Sequence, residues 1–140
     1  MKKSIGLISF EALIAMFIFS FGMLALLGLQ ASLYARNQDA RFRIQAGASA
    51  NELISVALAD ATNAACYTVP VNTQQNCAKQ EAQNYTKAWV AEITGLLPGT
   101  TNYPPKVTLN ANGDFTIFLT WQRTQDANPH SYTLTTRLGL

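Results

Sequence analysis

The feature that constrains this chain most is a long apolar segment close to its amino terminus. Between Lys3 and Arg36 the only acidic or basic side chain is Glu11, and residues 12–29 are apolar apart from Ser20. As a helix that rises about 1.5 Å per residue, residues 7–29 would extend roughly 35 Å, which is enough to cross a bilayer. The segment therefore predicts a long N-terminal helix with a transmembrane first half.

The charges at the two ends of this segment predict its orientation. Lys2 and Lys3 precede it, and basic residues favour the cytoplasmic side of a membrane, so the rest of the chain is expected to face outward. These two lysines account for the formal net charge of +2, because the other basic side chains balance the eight acidic ones. Nucleic-acid binding normally needs a clustered basic surface, and no run of Lys or Arg occurs. We therefore expect no nucleic-acid partner.

Glu11 stands at the start of the apolar segment, where a charge is costly. Insertion scales assign about 2.5 to 3.5 kcal/mol to an acidic side chain at the centre of a membrane helix, so such a residue normally has a partner or a function. Two simpler interpretations remain. One is a secretory signal cleaved after Ala31 or Ala35, against which a Glu at the start of the apolar core argues. The other is a generic anchor in which Glu11 complements the helix dipole.

The residues around Glu11 resemble a known processing signal. Residues 6–16 read GLISFEALIAM, which is similar to the prepilin signature of type IV pilins and type II secretion pseudopilins. In that family a membrane-embedded prepilin peptidase cuts after the glycine and methylates the new amino terminus. The resemblance implies a leader peptide of residues 1–6, cleavage between Gly6 and Leu7, and N-methylation of Leu7, although Phe or Met is commoner at that position.

The resemblance also implies a role for the acidic residue. Glu11 would be the fifth residue of the mature chain, and its carboxylate would neutralise the terminal ammonium of a neighbouring subunit inside a filament. In a low-dielectric interior an unpaired charge is expensive, so this pair would set the alignment of the subunits even if its net stabilisation is small.

Beyond residue 29 the apolar pattern becomes one-sided and predicts that the helix continues to about Thr62, because the first proline is Pro70. The predicted apolar face consists of Leu33, Ala40, Ile44, Ala48, Ile54, Leu58 and Ala61. A second amphipathic helix is predicted from Ala82, Tyr85, Trp89, Ile93 and Leu96.

The last third of the chain changes to a period of two. Residues 107–109, 115–121 and 132–138 alternate as strands, with a hairpin turn at Asn112-Gly113 and a loop at Asn128-Pro129. These elements predict an α+β fold in which the long helix packs on a small antiparallel sheet. With the resemblance, this is the type IV pilin fold, with a membrane and filament-core helix at 7–29 and a periplasmic domain at 30–140.

Two cysteines, Cys66 and Cys77, indicate a disulfide. A bridge closing so short a loop stabilises by about 3 kcal/mol in the chain-entropy model and persists in an oxidising compartment such as the bacterial periplasm. The alternative is two unrelated buried thiols or a redox pair, although neither C-x-x-C nor a metal-ligand spacing occurs.

The second half of the chain is similar to one subfamily, the PilV-type minor pilins, also described as type IV pilus modification proteins. The similarity lies in Trp89, in residues 97–99 (LPG) and in residues 115–121 (FTIFLTW). It implies a minor pilin that initiates or modifies pilus assembly, partnered by prepilin peptidase, by major and minor pilins and by a tip adhesin. The expected location is the bacterial inner membrane, followed by the pilus. Two alternatives are a minor pseudopilin of a type II secretion system and a DNA-uptake pilin.

No pattern predicts catalysis. The single histidine, His130, follows Pro129 in a predicted loop, where a lone histidine is usually exposed to solvent. No H-E-x-x-H, G-x-S-x-G, Walker or dinucleotide-binding spacing occurs. We therefore expect a structural protein, with no enzymatic activity, no cofactor and no metal.

Overall fold

In a computed structural model of the 140-residue chain, the described residues are 5–70 and 77–139, and their side chains are described except at positions 5–9 and 35. The chain divides into two compact units, Met1–Ala40 and Arg41–Leu140. Helix α1 (Ile5–Ala59) supplies the described part of the first unit and the beginning of the second.

The elements of the second unit follow in the predicted order. A 3₁₀ segment (Ala61–Tyr67) comes after α1, then helix α2 (Gln80–Leu96) and strands β1 (Lys106–Leu109), β2 (Asp114–Trp121) and β3 (His130–Arg137). The strands form an antiparallel sheet in the order β1-β2-β3. The α+β layout predicted from the sequence, a long apolar N-terminal helix plus a small antiparallel sheet, is therefore confirmed.

The turn between β1 and β2 depends on a glycine. Gly113 has a φ of 81°, in the left-handed region that glycine adopts without steric cost, and its N–H donates to the carbonyl oxygen of Asn110. The predicted Asn112-Gly113 hairpin therefore fixes the pairing of β2, in which Phe115 lies opposite Leu109. This pairing places alternate residues of β2 on one buried face.

The core of the second unit lies between this face and the helices. Strand β2 contributes Phe115, Ile117, Leu119 and Trp121, each fully buried. Helix α2 contributes Ala82, Thr86, Trp89 and Ile93, which share one face by their spacing of three or four residues. Helix α1 contributes Ala46, Ala50, Leu53 and Ala57.

Two hydrogen bonds attach α2 to α1. The indole Nε1 of Trp89 donates to the carbonyl oxygen of Ser49 (2.9 Å), and the hydroxyl of Tyr85 donates to the Glu52 carboxylate (2.7 Å). Burial, followed by the bond to Glu52, raises the pKa of Tyr85 to about 12. The two polar groups thus satisfy their bonding within the packed helix pair, as buried Trp and Tyr groups generally do.

The buried face of α1 differs from the predicted one. Of the predicted set only Ile54 is buried, whereas Leu33, Ile44 and Leu58 are 58%, 71% and 47% exposed. The face that packs on the core is built mainly from small residues around Leu53. At Gly47, a Cβ atom would lie 3.5 Å from the hydroxyl oxygen of Tyr132, so the phenol of Tyr132 packs directly over this glycine. Small side chains permit close packing of α1 on the core. The prediction chose the other face because it gave more weight to large hydrophobic residues such as Leu33, Ile44 and Leu58.

Cys66 and Cys77 form the predicted disulfide. It connects the buried 3₁₀ segment to the residues just before α2, and Cys66 is 3% exposed. The hydroxyl of Thr86 on α2 donates to the carbonyl oxygen of Cys66 (3.2 Å). The bridge therefore restrains the connection between the two helices.

Replacing both cysteines by serine is expected to lower the free energy of unfolding of the second unit by about 3 kcal/mol, because an 11-residue separation is no longer closed in the unfolded chain. Urea denaturation of the full chain in detergent, followed by tryptophan fluorescence, would measure the loss. Processing of the amino terminus should be unchanged. A midpoint equal to that of the wild type would contradict a stabilising role.

Candidate functional site

The predicted processing site lies at the beginning of α1. The backbone of Gly6 and Leu7 belongs to this helix, which starts at Ile5. Lys2 and Lys3 lie outside the described residues, and so do the side chains at the predicted cleavage and methylation positions. The described part of the site therefore begins at Phe10 and Glu11.

Glu11 is exposed and stands among apolar side chains. Phe10, Leu13 and Ile14 precede and follow it on α1, and all three are also exposed. Within the described part of the chain Glu11 forms no ion pair, and the sequence has no Lys or Arg between residues 4 and 35. The nearest cation in the described sequence is Arg36, about 37 Å away along the helix axis at 1.5 Å per residue.

The rest of the segment forms an extended apolar surface. Its large exposed side chains beyond Glu11 are Leu13, Ile14, Met16, Phe17, Ile18, Phe19, Phe21, Met23, Leu24, Leu26, Leu27, Leu29 and Leu33. Soluble monomers rarely expose a contiguous apolar surface of this extent. By length and composition the helix from Phe10 to Ala59 contains a stretch apolar enough to span a membrane, since its most apolar 18-residue window has a mean hydropathy of 2.4.

Ser20 does not interrupt this surface. Its hydroxyl donates to the carbonyl oxygen of Met16 one turn earlier (2.7 Å), so its polar group is satisfied within the helix. Nearby, the rings of Phe17 and Phe21 are 4.7 Å apart in a tilted pair. The surface therefore carries one charged group, Glu11, among the described residues up to Arg36.

A polar cluster that the sequence analysis missed lies where α1 ends. The carboxylate of Asp60 accepts hydrogen bonds from the Lys79 ammonium (2.8 Å), the Asn63 amide (2.8 Å) and the Tyr67 hydroxyl (3.0 Å). The bond from Lys79 is the main cause that lowers the pKa of Asp60, while burial raises the pKa of Tyr67 to about 12. The cluster joins the end of α1 to the chain that follows the disulfide.

The loop between β2 and β3 also differs from expectation. His130 is the first residue of β3 and stacks on Trp121 with ring centroids 5.9 Å apart. Its Nε2 lies 3.6 Å from the carboxylate of Asp126, which also binds the Arg123 guanidinium (2.8 Å). The bond from Arg123 is the main cause that lowers the pKa of Asp126. His130 is therefore a partly buried structural residue rather than a solvent-exposed one.

No protein-family model, curated protein or solved structure matches this chain. Three features of this chain bear on its function: an exposed apolar segment, the single carboxylate of that segment near its amino terminus, and a disulfide-bonded α+β domain that carries no comparable apolar surface beyond α1 among its described residues.

Proposed function

We propose that this chain is a minor pilin, a structural subunit that initiates or modifies the assembly of a type IV pilus. The observation that carries the proposal is the placement of Glu11, the single charged side chain of the exposed apolar segment before Arg36, five residues after Gly6. The resemblance of residues 6–16 to the prepilin signature supplies the processing step. In this proposal prepilin peptidase removes residues 1–6 and methylates Leu7.

Before assembly, the first half of α1 (residues 7–29) anchors the chain in the bacterial inner membrane and residues 30–140 lie in the periplasm. The disulfide between Cys66 and Cys77 supports this compartment, because structural disulfides persist where the surroundings are oxidising. During assembly the apolar side chains of α1 exchange lipid for the helices of neighbouring pilins. This exchange costs little hydrophobic free energy, because both environments exclude water.

Within the filament the Glu11 carboxylate forms an ion pair with the terminal ammonium of a neighbouring subunit. Two opposite charges removed from water must meet with good geometry to offset their desolvation, and removing one of them leaves the other uncompensated. The pair therefore favours one axial alignment over others. The partners that this mechanism requires are major and minor pilins, with a tip adhesin where the chain belongs to a tip complex.

The processing step is tested by mass spectrometry of the chain produced together with a prepilin peptidase. The expected mature chain begins at Leu7. The variant Gly6→Ala should be processed poorly, because the added methyl group occupies the cleavage position, while Ser4→Ala in the leader serves as the matched control. A chain that begins at Met1, Ser32 or Arg36 would contradict the proposal, and the last two would favour a secretory signal.

The choice between pilus and secretion system is tested in cells. Deleting this gene should reduce the number of surface pili and leave protein export through a type II secretion system unchanged. Loss of export with normal pili would assign the chain to the pseudopilins instead.

A further inference from the structure

The three-stranded sheet has two different edges. At the β1 edge, the N–H of Val69 donates to the carbonyl oxygen of Val107 (3.0 Å), and the N–H of Val107 donates back to Val69 (3.2 Å). The chain that precedes the disulfide loop therefore occupies the outward backbone groups at the middle of β1. This edge is closed at that point by the protein itself.

The β3 edge is open along the strand. All eight residues of β3 pair with β2, from His130 opposite Trp121 to Arg137 opposite Asp114. The N–H of Leu138 donates to the carbonyl oxygen of Gly113 (2.8 Å), so the even-numbered residues exchange hydrogen bonds with β2. The alternate residues Ser131, Thr133, Thr135 and Arg137 therefore direct their N–H and C=O groups away from β2, and no strand of the described chain pairs with them.

The composition of β3 does not protect this edge. Natural sheets protect edges with Pro, Lys, bulges or charges that point inward. Strand β3 contains no Pro and no Lys, and its pairing with β2 is regular throughout. On the core side, Tyr132 and Leu134 pack against the hydrophobic core but remain only half-buried. The apolar layer thus reaches the edge of the sheet, next to a row of free backbone groups.

We propose that the β3 edge binds an extended segment of a different polypeptide, which adds a fourth strand to the sheet. The side chains on the two faces of β3 indicate which residues that segment would carry. Residues beside Tyr132 and Leu134 would be apolar, and residues beside Ser131, Thr133 and Thr135 would be polar or hydroxyl-bearing. Strand addition of this kind takes its affinity from the main chain and its specificity from alternate side chains.

A second copy of this chain is the weaker candidate for the partner. An edge of eight residues measures roughly 27 Å by 10 Å, or about 270 Å² per partner. Stable dimers bury about 800 Å² per partner, so two copies joined through this edge alone would dissociate readily. A flexible segment that belongs to a protein already held by other contacts does not need that area. The binding mode is independent of the helix packing proposed for α1.

The test uses the full chain in detergent micelles and a fluorescent synthetic peptide in which Thr alternates with Val and Ile between terminal lysines. A peptide of the same composition with its apolar residues consecutive is the control ligand. Thr133→Pro removes an outward N–H that does not bond β2, a position where edge strands tolerate proline. Thr133→Ala keeps the N–H and is the matched control variant. Thermal unfolding monitors whether each variant remains folded.

At peptide concentrations of about 1 mM, which suit the small area of this edge, the alternating peptide should bind wild type and Thr133→Ala saturably and Thr133→Pro about tenfold more weakly, the loss expected for one or two hydrogen bonds. On wild type, nuclear magnetic resonance should show slowed exchange of the Thr133 and Thr135 amides, a result that does not depend on the folding of any variant. No saturable binding, equal binding to Thr133→Pro, or slowed exchange elsewhere would overturn the proposal. Dimerisation of the chain alone that Thr133→Pro abolishes would assign the edge to a second copy and overturn the proposed partner.

Discussion

Replacing Glu11 by glutamine is expected to leave processing intact and to remove most of the chain from assembled filaments. Glutamine keeps the shape of the side chain but cannot neutralise a terminal ammonium. Breaking one partner of a buried ion pair costs about 3 to 5 kcal/mol, which corresponds to at least about a hundredfold loss of incorporation. The measurement is the ratio of the mature chain in sheared filaments to that in the inner membrane.

Ser20→Ala is the matched control for Glu11→Gln. Ser20 lies on the same exposed part of α1 and bonds only the carbonyl oxygen of Met16, so its removal changes no charge and no intermolecular group that the mechanism uses. It should be incorporated as well as the wild type. If Glu11→Gln is also incorporated normally, the charge pair does not direct assembly, whatever the processing result.

Much of the fold could be predicted from local patterns. The period of two in residues 115–121 and the Asn112-Gly113 turn determine β2 and its hairpin, because both signals are local and each has one common structural solution. Helix α2 follows from its apolar periodicity, and the length of α1 follows from a run of residues without proline before Pro70. The disulfide was predictable because the chain contains only two cysteines.

The contacts between distant segments could not be predicted in the same way. Asp60 binds Asn63 and Tyr67, and also Lys79, which lies nineteen positions later beyond the disulfide and which no helical or strand period relates to Asp60. His130 was predicted to be exposed to solvent because the sequence does not show that Trp121, the last residue of β2, packs beside it. Such contacts arise only after the strands and helices have packed, so a local pattern carries no signal for them.

The candidate site combines a residue that local sequence identifies, Glu11, with a proposed partner on another chain. Glu11 could be identified from the sequence because it is the single charged residue in an apolar run, whichever face of the helix it lies on. Its proposed partner belongs to another chain, so the pairing remains a prediction that the described residues do not test. The choice of the buried α1 face, in contrast, required the structure, because Ala46, Ala50 and Ala57 contribute little to a hydrophobicity pattern.

The buried face of α1 predicts a large effect of one substitution on stability. Replacing Leu53 by alanine is expected to lower the free energy of unfolding by about 2 to 5 kcal/mol, because Leu53 is fully buried and its loss leaves a cavity in the hydrophobic core. Urea denaturation of the full chain in detergent, followed by tryptophan fluorescence, would measure it. Trp89 and Trp121 both lie in this core and would report the transition.

Ile44→Ala is the matched control on the same helix. Ile44 is 71% exposed, so its truncation should change the free energy of unfolding by no more than about 0.5 kcal/mol. If α1 packs against other pilins as proposed, the same truncation removes about 1.5 to 3 kcal/mol of burial in the filament, or about tenfold or more in incorporation. Leu53→Ala would then act on stability and Ile44→Ala on assembly. A large loss of stability from Ile44→Ala would mean instead that the hydrophobic periodicity, rather than the packing described for Leu53, identifies the buried face.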